Sequence, residues 1–313
     1  MASRLETLGA QVDPILTSFA IGYKSVDFIA RKVCPIITSI NDSGALFSFG
    51  KEGFHLYDTE RALRANAKKA DYAISRDTFA LAEHAFETSL DYRELAKARE
   101  IGAAQVLQLE KRSMNFTQMI LERKLEYTVA NIVLSGTYYA SGNKVTLTGD
   151  DQWSSANSDP VGQIKTGIKA ARADMGVEPN TLILGYDAYW ELSEHAQLKS
   201  MMTDMKDKPM RITAPDLASL LRLDNVYVGK SNYSTDAGVF TDLWTDSAAL
   251  VYIPPDPEMV EGTTPHTVII ELAGYPVGRQ YPEKKVVSYE TTRYYQVKNI
   301  STSFGYLIGD CVA

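Results

Sequence analysis

The sequence predicts an α+β protein, and three observations carry that prediction. Residues 91–134 contain no proline and a single glycine, Gly102, and their apolar positions recur at helical spacing. Residues 267–272 and 284–298 read as long strands, the second with clear period-two alternation. Between these regions, residues 155–253 interleave short helix and strand signals. The chain has 313 residues, 45 % apolar and 23 % charged, enough to build a sizeable core.

Residues 1–44 hold short apolar clusters without a sustained period, interrupted by Pro14 and Pro35. Such a segment orders only against something else. It is either a strap over the chain's own core or an arm onto a neighbouring subunit. Residues 45–81 read as a long hairpin, with alternation over 45–49 before Gly50 and Gly53. Its tip is basic, with Arg61, Arg64, Lys68, Lys69 and Arg76 against Asp71. The tip carries few large apolar groups, so it is expected to project. It lacks the interleaved aromatic side chains of a nucleic-acid surface.

Asp91 and Glu94 stand at capping-box spacing where the long helix begins, and Gly136 is its expected left-handed stop. About 40 residues would span roughly 60 Å, or roughly 50 Å if the helix breaks near Gly102. Leu107, Met114, Leu121, Leu125, Val129 and Ile132 form one apolar stripe. Leu109, Phe116, Ile120 and Tyr127 form a second, which predicts cover on more than one side. The glutamates of this helix, Glu110, Glu122 and Glu126 among them, read as surface groups.

Residues 138–148 read as a hairpin around Ser141-Gly142-Asn143. Asp159 is the expected N-cap of a helix that opens on Pro160 and closes at Gly176. A short buried strand at 181–184, a helix at 187–195 and a Met- and Lys-rich loop at 199–213 follow. A helix at 215–221 and strands at 226–228, 240–244 and 248–253 complete this region. The tail, 303–312, is a last apolar strand.

Chemistry-bearing patterns are missing. His55, His84, His195 and His266 form no pair at helical spacing, and there is no metal motif, nucleophile elbow, phosphate loop or dinucleotide fingerprint. Cys34 and Cys311 support no disulfide framework, and nothing local would activate either thiol. The net charge of −7 gives no global attraction to nucleic acid or anionic membrane. No 18-residue apolar run or signal peptide is read, and a reducing, cytoplasmic setting fits. The expectation is therefore an assembly part with no enzymatic activity and no cofactor or metal. A hydrolase built on the central α/β unit would have only Asp187, Glu191 and His195 to use.

The ordered set Leu90-Asp-Tyr-Arg-Glu-Leu95, Trp153 with Ser158-Asp-Pro160, Pro179-Asn-Thr-Leu-Ile-Leu-Gly185, Val226-Tyr-Val-Gly229 and Ala249-Leu-Val-Tyr-Ile-Pro254 spans nearly the whole chain. In this order the elements resemble the major capsid proteins of tailed bacteriophages, with the Hong Kong 97-like capsid fold. The resemblance implies an N-terminal arm at 1–44 and an E-loop at 45–81. It implies a peripheral (P) domain at 82–154 and 255–298 with a long spine helix. The axial (A) domain would be 155–254, joined by the tail 299–313. Subunits of this family form pentamers and hexamers of an icosahedral shell around packaged double-stranded DNA, assembled in the host cytoplasm. Implied partners are further copies of the chain, a portal, and possible scaffolding and decoration proteins, with DNA enclosed rather than specifically bound and no membrane. The chain lacks the fused helical extension of the type member, so a scaffold, if used, is expected to be separate. Lys51, Lys68 and Lys69 lie where some members cross-link, without an identifiable asparagine partner. An encapsulin-type nanocompartment shell is the alternative. Arg61, Arg64, Lys68 and Lys69 are the expected inter-subunit contacts, against acidic groups such as those of a neighbour's long helix.

Overall fold

The computed structural model describes residues 11–23, 28–49, 55–61, 63, 66–69, 74–203, 211–254 and 265–313. The N-terminal part forms β1 (Gln11–Val12), α1 (Pro14–Gly22), α2 (Ala30–Val33) and β2 (Ile36–Ser39). Next come the hairpin strands β3 (Ser43–Phe49) and β4 (Ile74–Ala80), then β5 (Ala82–Asp91), α3 (Tyr92–Ile101) and α4 (Ala103–Val133). The middle holds β6 (Lys144–Thr146), α5 (Pro160–Met175), β7 (Thr181–Leu184), α6 (Tyr186–Glu194) and α7 (Ala196–Thr203). It continues through α8 (Ala214–Leu221), β8 (Asn225–Val228), β9 (Asn232–Ser234), β10 (Phe240–Asp242) and β11 (Ala248–Val251). The last strands are β12 (Thr267–Leu272), β13 (Val277–Pro282), β14 (Val286–Asn299) and β15 (Gly305–Gly309).

Two sheets organise these elements. The first follows the order β1-β13-β14-β12-β2, with β5 also paired to β14. At 14 residues, β14 is long enough to serve β13, β12 and β5 at once. The second has the order β6-β15-β11-β7-β8, with β7 and β11 buried along their whole length. Helix α4 lies at the junction. Leu125, Val129 and Val133 touch Ile183, Ala249 and Leu307 of the second sheet and Ile269 and Tyr295 of the first. On the far face of the second sheet, Ile164, Ala171, Leu192, Leu198 and Leu217 cover Leu182, Leu184 and Leu250. Each such buried aliphatic side chain contributes about 1.5–3 kcal/mol of transfer free energy.

Residues 11–44, as far as they are described, are a strap on the subunit's own core. Asp13 caps α1 by accepting the Ile15 and Leu16 N–H groups at 2.8 and 3.2 Å. Leu16 and Ala20 then bury against Met114 and Tyr289. β2 adds to β12 in parallel register. The hairpin is also as expected, with β3 and β4 paired from Ser43–Ala80 to Phe49–Ile74.

The long helix does break. Gly102 takes φ 144°, a conformation open to glycine, and separates α3 from the 31-residue α4, roughly 46 Å long. Its apolar cover is one-sided, against expectation. Met114, Leu121, Leu125 and Val129 are buried, but Phe116 and Tyr127 of the second stripe stay substantially exposed. They meet neighbouring rings, Phe86 and Tyr233, and Lys124 Nζ lies 5.2 Å from the centroid of the Tyr127 ring. Gly136 is not a left-handed stop either. The helix ends at Leu134, and Ser135 accepts the Thr137 N–H to start a 3₁₀ turn over Gly136–Tyr138.

Residues 138–148 do not close a hairpin. The Asn143 amide is tied to the Asp174 carboxylate at 3.0 Å and to the Ser303 carbonyl at 3.1 Å. That anchoring sends β6 into parallel pairing with β15 rather than back on its own neighbour. Strands without a clear signal in the sequence also form: β1 and β2 in the strap, and β5, β9 and β13. The first residues of the expected 199–213 loop complete α7, and 204–210 lie outside the described residues.

Gly278 marks where the strap meets the sheet. Its carbonyl accepts the Asp13 N–H at 3.1 Å, and its N–H donates to the Thr17 hydroxyl at 3.0 Å. A Cβ there would lie 2.8 Å from the Leu16 carbonyl carbon and 2.8 Å from the Met114 methyl. Gly278→Ala should therefore destabilise the fold by about 1–3 kcal/mol. Thermal melting measures the loss, and faster chymotryptic cleavage at Phe19 should report a loosened α1.

Candidate assembly interface

A partly buried ionic cluster fixes the strap to the spine helix. Arg31 Nε lies 3.1 Å from Glu122 Oε2, and its Nη2 lies 2.6 Å from Glu271 Oε1. Arg293 Nη1 reaches Glu122 Oε1 at 2.9 Å and Glu271 Oε1 at 3.6 Å. Two cations and two anions cancel, which is what permits charge at this depth. Burial opposes the charge on Arg31, but the hydrogen bonds and fields of Glu271 and Glu122 outweigh it and raise its pKa above the ordinary value.

Glu126 lies one helical turn further on and is fully buried. Its carboxylate accepts the Ile29 N–H at 2.9 Å, the Ala30 N–H at 2.7 Å and the Trp244 indole N–H at 2.7 Å. Ser231 donates its hydroxyl at 3.4 Å. Burial raises the Glu126 pKa even though these donors favour its charged form.

These positions overturn the expected role of the helix glutamates. Glu122 and Glu126 face the interior of their own subunit and are unavailable to a neighbour's basic loop. Glu110 is half-buried and accepts the Tyr289 hydroxyl at 3.3 Å. The sequence held one signal for this. Glu122 and Glu126 directly follow the core residues Leu121 and Leu125, so both border the buried stripe.

The hairpin has a buried base and an exposed tip. Leu46 and Phe79 pack with Val268 and Ile270. Lys298 Nζ holds the Asp77 carboxylate at 2.7 Å. Beyond that, Arg61, Lys68 and Lys69 are exposed, and Lys68 pairs with the equally exposed Asp58. Leu56 and Leu63 are 101 % and 93 % exposed, so the tip presents apolar groups as well as charge. Arg64 and Lys51 lie outside the described residues.

Of the candidate groups of a hydrolase, Asp187 is exposed and Glu191 half-buried one turn apart on α6, whereas His195 is buried beyond the end of that helix. The His195 Nε2 lies 3.2 Å from the Ser158 hydroxyl and 3.3 Å from the Ser155 carbonyl, a structural role. Both cysteines are buried, and burial pushes both thiols well above their ordinary pKa. Among the described residues, no three His, Cys, Asp or Glu side chains group to hold a metal ion. No helix among them is long and apolar enough to cross a membrane.

Two sheets therefore pack about a long helix, with a hairpin projecting from them. No family model matches the chain. The major capsid protein of Burkholderia phage BcepMu is 34 % identical over 245 residues, covering 78 % of this chain and 76 % of that protein. The chain belongs to the phage major capsid protein family. The crystal structure of a phage-related protein from Bordetella bronchiseptica superposes with a TM-score of 0.77 at 28 % identity, over 96 % of this chain and 98 % of that one. At the level of fold alone, the mature capsid of bacteriophage PhiM1 matches with a TM-score of 0.54 at 10 % identity, covering 92 % and 88 % of the two chains. An encapsulin of Synechococcus elongatus matches with a TM-score of 0.52 at 11 % identity, covering 96 % of each chain. The capsid protein therefore has the Hong Kong 97-like fold, and its role is that of a structural shell subunit of a phage.

One buried group makes the stability of this capsid protein depend on pH. His266 stacks on Tyr139 with ring centroids 4.4 Å apart and contacts the Tyr138 carbonyl at 3.1 Å. Burial lowers its pKa from 6.5 to about 4. The unfolded chain gains a proton below pH 6.5 that the folded chain refuses until about pH 4. This group's contribution is complete above pH 6.5 and lost as pH falls toward 4. Between pH 7 and pH 5 it should remove about 2 kcal/mol. The raised pKa of Glu126 acts in the opposite sense, so His266→Gln is the control. Urea unfolding at both pH values should show a smaller acid loss in the variant.

Proposed function

We propose that this subunit assembles into the pentamers and hexamers of an icosahedral phage head that encloses packaged double-stranded DNA. The observation that carries the reading is the hairpin, whose base is locked into the core while its tip exposes Leu56, Leu63, Arg61, Lys68 and Lys69. Such a loop cannot bury these groups on its own subunit as described, and a neighbouring copy supplies the missing surface. In this reading residues 1–44 are the arm and 45–81 the E-loop. Residues 82–154 with 255–298 are the peripheral domain, and 155–254 with 299–313 the axial domain. A portal, a scaffolding protein and decoration proteins are further partners of a shell of this kind.

The basic tip, Arg61, Arg64, Lys68 and Lys69, serves as a contact between subunits. Each exposed pair contributes only about 0–1 kcal/mol, which keeps single contacts reversible, while repetition over the shell makes the sum large. The 34 % identity to a phage major capsid protein favours a phage head over the encapsulin alternative, which matches only in fold.

Negative-stain microscopy and size-exclusion chromatography of the purified chain test the reading. Rings or megadalton shells are expected, and a monodisperse monomer across salt and concentration would contradict it. Reversing Arg61, Arg64, Lys68 and Lys69 to Glu should leave the subunit folded by circular dichroism but abolish or weaken shell formation. High salt should weaken wild-type assembly in the same direction, since exposed charges are screened beyond about 10 Å at 0.1 M.

DNA should be enclosed without specific binding. The −7 net charge and the absence of aromatic side chains interleaved with the basic tip predict weak duplex affinity. Submicromolar binding at about 150 mM salt, measured by fluorescence anisotropy, would refute this.

A further inference from the structure

A second, smaller ribbon stands apart from both large sheets. Among the described strands β9 and β10 pair only with each other, with Phe240 opposite Ser234 and Asp242 opposite Asn232. Its base is fixed. The Leu243 N–H donates to the Ser231 carbonyl at 2.9 Å, Leu243 and Trp244 are buried, and the Tyr233 ring meets Tyr127 of α4 edge-on at 5.7 Å. Its turn is fixed as well. The Thr235 N–H donates to the Val239 carbonyl at 2.9 Å, and the Thr235 carbonyl accepts the Gly238 N–H at 2.8 Å, with Gly238 at φ 78°. On this ordered turn Val239 and Phe240 are 61 % and 72 % exposed. A turn already held in shape loses little freedom when it docks.

A groove elsewhere on the subunit has the matching character. It lies between α3, α4 and β5 and has a volume of about 610 Å³, within the range of roughly 300–1,000 Å³ that holds ligands. Leu90, Ile101, Leu109 and Phe116 line it with apolar surface. Lys97 and Arg112, both exposed, line it too and outnumber Glu94. Among the described residues neither cation is in an ion pair.

The ribbon is opposite in sign. Residues 231–244 contain Asp236 and Asp242, both exposed, and no Lys or Arg. Knob and groove therefore share apolar character and differ in charge. Within one subunit they stay apart. Tyr127, where the ribbon is anchored, lies roughly 16 Å along α4 from Phe116, and no residue of the ribbon lines the groove.

We propose that the β9–β10 turn of one copy inserts Val239 and Phe240 into the α3–α4 groove of a second copy, with Asp236 and Asp242 beside Lys97 and Arg112. The two surfaces are different patches of the chain, so the contact runs head to tail and closes a ring when the rotation between copies closes. The inference rests on the reading of the chain as a self-assembling shell subunit.

Three variants test it. Phe240→Ala removes the knob from an exposed position, so the melting temperature of the subunit should not change while shell yield falls about tenfold or more. Lys97→Glu with Arg112→Glu should lower the yield to a similar degree, and adding Asp236→Lys with Asp242→Lys should return it to within about threefold of wild type. Phe240→Cys with Ile101→Cys tests the pairing directly, because Cys34 and Cys311 are buried and the new thiols are the accessible ones. Under mild oxidation this variant should give a ladder of disulfide-linked oligomers on non-reducing gels, whereas either cysteine alone gives dimers at most. Normal assembly of Phe240→Ala, a charge-swapped chain no better than the groove variant, or cysteines that join within one chain or not at all would each overturn the docking while wild-type shells uphold the shell reading. A wild-type chain that never leaves the monomer overturns both.

Discussion

The structure depends on how a cluster of four charges, two of them buried, and one further buried carboxylate are neutralised along a single helix. Arg31, Glu122, Arg293 and Glu271 come from the strap, the spine helix and two strands of the six-stranded sheet, and each touches two charges of opposite sign. Removing one of them leaves its two partners with a single counter-ion each, which matters most for Glu122 and Arg293, the two buried members. Glu126 extends the constraint without a cation. Its acceptors are filled by two backbone N–H groups of the strap and by Trp244 and Ser231 of the central region. Strap, helix and both sheets therefore hold one another in a single arrangement. Apolar burial stabilises that arrangement, while the charges restrict which arrangement it is.

That rigidity contrasts with the hairpin. Its strands are anchored by Leu46, Phe79, Lys298 and Gln296, and its end carries charge into solvent. A subunit that must meet several neighbours benefits from this division. The fixed core defines directions, and the exposed tip makes contacts that are individually weak. Among the described residues the outer edge of β5 is unpaired, and Phe86 and Phe116 are half-exposed.

Much of this was legible in the residues. Asp159, Pro160 and Gly176 delimit α5 because capping, a preset φ and a left-handed closure are local requirements, and Gly176 has φ 75°. The β3–β4 hairpin and the long β14 follow from alternation, which is also local. What the sequence hid is non-local. β6 follows a turn that looks able to close a hairpin, yet Asn143 is held by Asp174 and Ser303, and the strand joins β15 instead. Glu122 and Glu126 read as solvent-facing because glutamate on a helix usually is. Only the arginines and backbone donors brought from distant segments make their burial tolerable.

The place of β15 in the second sheet sets the order in which the molecule can be finished. This strand lies between β6 and β11, yet it is made about 160 residues after the first of them. During synthesis β7, β8 and β11 can align early, but β6 has no partner strand, and Trp153 lacks the Cys311 carbonyl that accepts its N–H. The nascent chain therefore leaves this core open until residues 305–311 have been made, and the sheet closes only when β15 pairs with both β6 and β11.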